Sequence, residues 1–356
     1  MGPPVARTTL VAICVSALLA WGPTWTTGTA SAAEDNAALV ASIDIDRMME
    51  TVEALQAFGS REFHLESSQE AAEYLYQAFE DIGVPVERQY FTVDETQVSN
   101  VVATLEGTDE DAGAYLFGAH YDSENSDAYS LQTAEDLSAP GADDDASGVA
   151  AVLEMARVLS GSSFPATVRF VMFNAEEYGY DNSGGCRGSE YFVAQEAALG
   201  HTYEGTAILD MIGYRAGVVN SAVMVVNEDG YALAESTRNA VGEFGIDLTL
   251  DVLNEPSITY SDHSSFWNRG MPSMLVIEEL DDMYSPLNPD YHTSYDNASN
   301  LSPDQLEAVT MAILGGLLTV SGDGTDGAIV FGIAIMSAVA ISVALFIYMR
   351  RMRGRV

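Results

Sequence analysis

Five short blocks of the 356-residue chain place acids and imidazoles where apolar runs end. The run Ala114–Ala119 delivers His120-Tyr121-Asp122. After a loop, Pro140-Gly141-Ala142-Asp143-Asp144-Asp145-Ala146-Ser147-Gly148 leads into a helical pattern. The run Thr167–Phe173 ends in Asn174-Ala175-Glu176-Glu177, and Thr206–Leu209 ends in Asp210-Met211. Last comes Asn288-Pro289-Asp290-Tyr291-His292-Thr293. An ordinary protein closes a buried strand with a turn residue, whereas here each run hands over an acid or an imidazole. Two histidines and three carboxylates are a donor set suited to a pair of divalent ions such as zinc.

These groups need elements to position them. Helical spacing runs through 36–58, with Met48, Val52, Leu55 and Phe58 on one face, and through 67–82. Further on, helical patterns at 147–160, 188–198, 229–243 and 303–319 alternate with short apolar runs. Those runs are Asn100–Leu105, Ala114–Ala119, Thr167–Phe173, Thr206–Leu209, Ser221–Val226 and Ser273–Ile277. The alternation predicts an α/β sandwich around a buried, largely parallel sheet. In such sheets functional groups gather beyond the carboxyl ends of the strands, which is where the five blocks fall. No internal repeat or long linker divides the middle of the chain, so 34–320 reads as one domain.

Gly118-Ala119-His120-Tyr121-Asp122-Ser123, Gly-Ala-Asp-Asp-Asp-Ala-Ser-Gly, Ala-Glu-Glu, Leu-Asp-Met and Tyr-His-Thr occur in that order. Together they resemble the M28 family of metallopeptidases over about residues 40–320. The resemblance implies a three-layer sandwich with a mixed central sheet, helices on both faces and two zinc ions per chain. Carried over by position, Asp143 bridges the ions, His120 and Asp210 complete one site, and Glu177 and His292 complete the other. Glu176 matches the general base, Asp122 matches the carboxylate that orients His120, and the Asp143-Asp144 peptide bond matches a cis bond. Asp143, Glu177 and Asp210 leave two Zn²⁺ with one positive charge, which a bound hydroxide neutralises. The implied activity is that of an aminopeptidase acting on peptides. Related folds also serve carboxypeptidases, one-zinc glutaminyl cyclases and non-catalytic, transferrin-receptor-like ectodomains. The intact ligand set and Glu176 argue against the last of these.

Other candidates carry less. His64 and His201 match no block and read as surface residues. Ser261-Asp262-His263 lists the members of a nucleophilic triad, but adjacent residues have the wrong geometry for one. It reads instead as the opening of a helix capped by Asp262, with Tyr260 before it packing or facing an oxyanion. Gly185-Cys186-Arg187-Gly188-Ser189 reads as loop structure.

Charge and chain ends set the context. The chain holds 53 acids, 14 basic residues, all arginine, and a formal net charge of −39. Setting aside the five arginines at the ends leaves nine against 53 acids in 34–326. Such a surface repels a polyanion and excludes nucleic acid as a partner. Concentrated counterions would screen its self-repulsion, so the composition reads as halophilic, of the haloarchaeal kind. Residues 1–33 read as a secretory signal peptide: Arg7, an apolar run from Leu10 to Trp21, then Ala30-Ser31-Ala32-Ala33. Residues 321–327 read as a stalk, and the uncharged 328–349 spans roughly 33 Å as a helix, enough to cross a membrane. Arg350, Arg351, Arg353 and Arg355 then mark 350–356 as a cytoplasmic tail, which puts the catalytic domain outside the cell. With Cys14 in the signal peptide, Cys186 has no intrachain partner. Asn297 and Asn300 open glycosylation sequons. No feature of the sequence assigns an oligomeric state.

Overall fold

The computed structural model describes residues 35–125, 138–177, 185–281, 283 and 285–321. The segments expected to be a signal peptide (1–33), a membrane helix (328–349) and a tail (350–356), and all but the first residue of the expected stalk, lie outside the described residues. No helix among the described residues is long and apolar enough to cross a membrane.

After a short helical turn at 35–40, α1 (Ile45–Ala57) starts at Asp44, whose side chain accepts the N–H groups of Asp46 and Arg47. It buries Met48, Val52 and Leu55, one apolar residue per turn. α2 spans Glu66–Ile82 and ends on Gly83 at φ 87°, a left-handed cap that glycine adopts without steric penalty. Eight strands follow: β1 (Val86–Val93), β2 (Thr96–Leu105), β3 (Ala114–His120), β4 (Thr167–Phe173), β5 (Gly205–Leu209), β6 (Ser221–Val226), β7 (Thr249–Asn254) and β8 (Met274–Ile277). The helices between and after them are α3 (Ala146–Ser160), α4 (Arg187–Leu199), α5 (Tyr231–Glu243), α6 (His263–Trp267) and α7 (Pro303–Ser321).

The strands form one mixed sheet in the order β1-β2-β4-β3-β5-β8-β6-β7. Its centre, β4-β3-β5-β8, is parallel throughout, so these four carboxyl ends share one edge. Alternate side chains feed two cores. Phe117, Phe170, Leu209 and Val276 pack with α1, α2, α3, α5 and α7, whereas Leu116, Val171, Ile208 and Leu275 pack with α4 and α6. That is the expected three-layer sandwich. β1 and β7 carry no uninterrupted apolar run because both are edge strands with exposed positions (Glu87, Tyr90 and Thr92; Thr249 and Asp251). Neither therefore gives a strand signal in the sequence.

Candidate metal centre

The central strands deliver the first half of the site. β3 ends on His120, which is 1% exposed; its Nε2 lies 3.1 Å from Asp144 Oδ1 and 3.6 Å from Asp210 Oδ1. Asp210 directly follows β5. Asp122 faces the other side of the ring, Oδ1 to Nδ1 at 3.7 Å. Its two oxygens also accept the backbone N–H groups of Glu176 and Glu177, each at 3.2 Å, so one carboxylate fixes the end of β4 beside the imidazole.

A long loop after β8 brings the second half. His292, at φ 56°, stacks on Tyr291 with ring centroids 3.7 Å apart. Its Nε2 lies 3.0 Å from Glu177 Oε2 and 3.1 Å from Asp144 Oδ2, while Nδ1 lies 2.9 Å from Glu124 Oε1. Asp144 therefore turns one oxygen to each histidine, the arrangement of a carboxylate shared by two ions. Glu124, Glu177 and His292 also form a compact donor group. Because Nε2 faces Glu177 and Asp144, an ion would sit on that side, and Glu124 would hold the ring from behind.

Asp143 is not the shared carboxylate. It is fully buried and points inward: Oδ1 accepts the Gly213 N–H at 2.8 Å and Oδ2 accepts Asn288 Nδ2 at 2.8 Å. The cis peptide bond likewise falls at Asp144-Asp145, one residue later than expected. The third acid, Asp145, caps α3 through Gly148 N–H and also accepts the N–H groups of His120 and Met211. Gly148 is required there, since a Cβ would collide with the Leu209 carbonyl. Three consecutive aspartates thus have three jobs, and spacing alone does not say which faces the histidines.

Arg61 and Asp296 hold this loop, and the sequence offered no sign of either. Asp296 accepts the N–H groups of Asp143 at 2.8 Å and Asp144 at 3.0 Å. Arg61 is fully buried, and its guanidinium donates to the carbonyls of Leu55, Tyr121, Pro140 and Gly141 at 2.6–3.2 Å. It is a buried cation beside Asp122, Asp144, Asp145 and Asp296, and each donor it uses fixes a loop carbonyl.

Burial favours the neutral form of Glu176 and Glu177. It pushes Glu177 up to about 8, helped by the charge on Asp144, and raises Glu176 well above the ordinary carboxyl range. Asp144 goes the other way: burial opposes its charge, but both histidines hold it well below that range. Burial likewise opposes a proton on either imidazole, and the surrounding carboxylates raise both well above their ordinary value. A divalent cation satisfies the same carboxylates and displaces those protons. Glu177 Oε1 is buried without a hydrogen-bond partner, and Asp144 Oδ2, though close to His292, makes no well-aligned hydrogen bond, as expected of carboxylate oxygens directed at an ion. The residues present fit metal ions.

Glu176 touches neither histidine; its Oε1 lies 3.5 Å from Cys186 Sγ. Tyr260 is 47% exposed and lines the pocket with Met211, Ile277, Pro286 and Tyr291. His64 and His201 lie at the surface. Ser261, Asp262 and His263 are fully buried at the start of α6, but Asp262 makes no side-chain cap. Ser261 Oγ has no hydrogen-bond partner, and His263 Nε2 pairs with the Ile258 carbonyl at 3.0 Å, so they form no triad.

The sequence profile of Peptidase family M28 matches residues 100–316. The chain belongs to this family. It is 30% identical over 287 residues to leucine aminopeptidase 1 of Ajellomyces capsulatus, covering 75% of this chain and 69% of that one. Two solved structures share the M28 chain's fold. A zinc aminopeptidase from Bacillus subtilis gives a TM-score of 0.65 at 16% identity, over 78% of this chain and 95% of that one. The glutaminyl cyclase of Bacteroides thetaiotaomicron gives 0.64 at 20% identity, over 78% and 98%. Family membership and the histidine–carboxylate cluster together make this M28 protein a metallo-exopeptidase.

Proposed function

We propose that the chain is a two-zinc aminopeptidase that removes N-terminal residues, preferentially apolar ones, from peptides outside the cell. The observation that carries the reading is Asp144, set between His120 and His292 with one oxygen toward each. In this assignment Asp210 and Glu177 complete the two sites. A one-ion cyclase has no need of the second set.

The pocket walls support the choice of substrate end. Asp144, Glu176, Glu177 and Asp210 line it, and no arginine among the described residues does. A carboxypeptidase must pair a substrate carboxylate with a cation; this rim suits an ammonium group. Met211, Ile277, Pro286, Tyr260 and Tyr291 offer an apolar wall for the first side chain, in keeping with the leucine aminopeptidase relative.

Bound ions would polarise the scissile carbonyl and acidify the attacking water. Glu176, held in place through its own N–H by Asp122, takes the water's proton and passes it to the leaving amine. Burial and the neighbouring carboxylates raise its basicity to suit that task.

The test is ion content together with Glu176→Gln in the full-length protein. About two zinc ions per chain and hydrolysis of a leucyl chromogenic amide, but not of its N-acetylated form, are expected. Glu176→Gln should keep the ions and lose roughly 10²–10⁴ in kcat. One ion per chain with cyclisation of N-terminal glutamine would establish the cyclase instead.

The same proposal places the enzyme on the outer face of a cell membrane in concentrated salt. Its support is the apolar 328–349 followed by arginines and the excess of acids. Deleting 328–356 should move activity from the membrane fraction to the soluble one. Activity should rise from roughly 0.1 to 3 M salt as screening shortens the Debye length severalfold.

A further inference from the structure

A second cavity, of about 740 Å³, lies apart from the metal centre, lined by the end of β1 and its turn (Phe91 to Asp94), α4 and the end of α6. Its floor is apolar: Phe91 stacks on Tyr191 with ring centroids 5.3 Å apart, and Val93 is buried beside them. Its charge sets it apart from the rest of the molecule. Only nine arginines stand against 53 acids in 34–326, yet Arg187 and Arg269 both line this cavity and balance its two acids, Asp94 and Glu190. Arg187 lies 3.3 Å from Glu190. Arg269 is exposed, and its guanidinium has no carboxylate partner among the described residues. The other arginines of the folded domain are engaged: Arg47, Arg88, Arg157, Arg169 and Arg238 with carboxylates, Arg61 with carbonyls, and Arg215 with Asn220. In a protein with so many surplus acids, a guanidinium without a carboxylate stands out.

Two further features suit an extended peptide. Among the described residues β1 is an edge strand paired only with β2, and the cavity opens beside it. It also connects to the chemistry through the backbone, since the Arg187 N–H donates to the Ala175 carbonyl at 2.9 Å, one residue before Glu176.

We propose that this cavity is an exosite for a carboxylate-bearing segment of the peptide substrate, downstream of the scissile bond. The aromatic pair would receive an apolar side chain, while Arg269, with Arg187 beside it, pairs with the carboxylate. The proposal rests on the exopeptidase reading above.

Binding and turnover separate the two. An N-acetylated, dye-labelled hexapeptide ending in Asp-Asp is titrated into the full-length protein and into Arg269→Gln at one ionic strength, with fluorescence anisotropy as the readout. The counterpart ends in Asn-Asn amide. The wild type should prefer the acidic peptide by roughly three- to tenfold, the worth of one exposed charge-assisted contact, and Arg269→Gln should lose that preference. In turnover, a free leucyl hexapeptide ending in Asp-Asp should show a KM raised by the same factor in Arg269→Gln. The leucyl chromogenic amide, which carries no residue downstream of the scissile bond, should be unchanged. Equal binding of the two peptides by the wild type, or a preference that survives Arg269→Gln, overturns the exosite. Failure to cleave the chromogenic amide overturns the exopeptidase reading and leaves the binding result to decide the exosite by itself.

Discussion

The two halves of the metal centre are built differently. His120 and Asp210 stand at the ends of adjacent parallel strands, with cores on both faces of the sheet fixing the backbone that carries them. His292 comes from a loop in the left-handed region, held by Glu124, Tyr291 and contacts with Asp144 and Glu177. Exposure follows the same division: the side chain of His120 is 1% exposed and that of His292 is 15%. A donor on a sheet cannot move without disturbing the core, whereas a donor on a loop can swing away at the cost of a few contacts. The strand-borne half should hold its ion as a preformed site, and the loop-borne half should be the one that exchanges.

Asp144 belongs to both halves, so its replacement gives the largest effect. Asp144→Asn should leave fewer than two ions per chain and lower kcat/KM by at least about 10³, since a bound ion is worth several kcal/mol of transition-state stabilisation. Asp143→Asn, one residue away, should keep both ions and lose stability instead, because it disturbs the bonds to Gly213 and Asn288. Metal analysis of the two variants reads this directly. If Asp143→Asn loses the ions and Asp144→Asn keeps them, the assignment made here is reversed.

Taking the halves apart comes next. Glu177→Gln should retain one tightly held ion, and Asp210→Asn one that a chelator removes readily. Activity in each should fall by roughly 10²–10³, since one ion's contribution is lost. Equal chelator midpoints for the two single-ion variants would break the contrast between strand and loop.

That division also decides what could be read from the sequence. His120, Glu176, Glu177 and Asp210 follow predominantly apolar runs, so a strand-end rule locates them without a structure. The resemblance carries the bridging role to Asp143, but which aspartate faces the histidines is not legible, because all three follow a loop where side-chain direction depends on partners far away in sequence: Gly213, Asn288 and Asp296. Arg61, in the loop between α1 and α2, looks like any surface arginine until its four carbonyls are seen. Glu124 follows the recognised His-Tyr-Asp block by two residues, but its role exists only once the loop after β8 brings His292 to it. The edge strands β1 and β7 are not legible for a related reason, since edge positions carry polar residues and break the apolar pattern.

The support beneath the strand-borne half predicts a pH dependence. His263 opens α6, packed below this part of the site, and burial lowers its imidazole from 6.5 to about 4. The folded state therefore disfavours the proton that the unfolded chain accepts below pH 6.5. Its contribution to stability is complete above that value and is lost as pH falls toward 4, by up to roughly 3 kcal/mol, about 1.4 kcal/mol per pH unit. His263→Phe, which keeps an aromatic ring against Trp267, should flatten denaturation midpoints across this window at the cost of the bond to the Ile258 carbonyl. An unchanged slope would show that other groups set the acid limit.

The smallest effect belongs to the loop-borne half. Glu124 touches no predicted ion; its carboxylate holds Nδ1 of His292 at 2.9 Å, which keeps Nε2 turned toward Glu177 and Asp144. Glu124→Gln retains a hydrogen-bonding group of the same size and removes the charge, so the ring should keep its place while its nitrogen becomes a weaker donor to metal. The expected loss is roughly 10–100-fold in affinity for the ion on that side, the usual worth of a carboxylate behind a metal-binding histidine. The ion bound by His120 should be unaffected. Zinc titration of the metal-free protein would show two phases in which only the weaker one moves. A shift of both phases, or of the tighter one alone, would mean that Asp144 couples the halves strongly enough to make them one site, and the contrast between strand and loop would then describe construction without describing affinity.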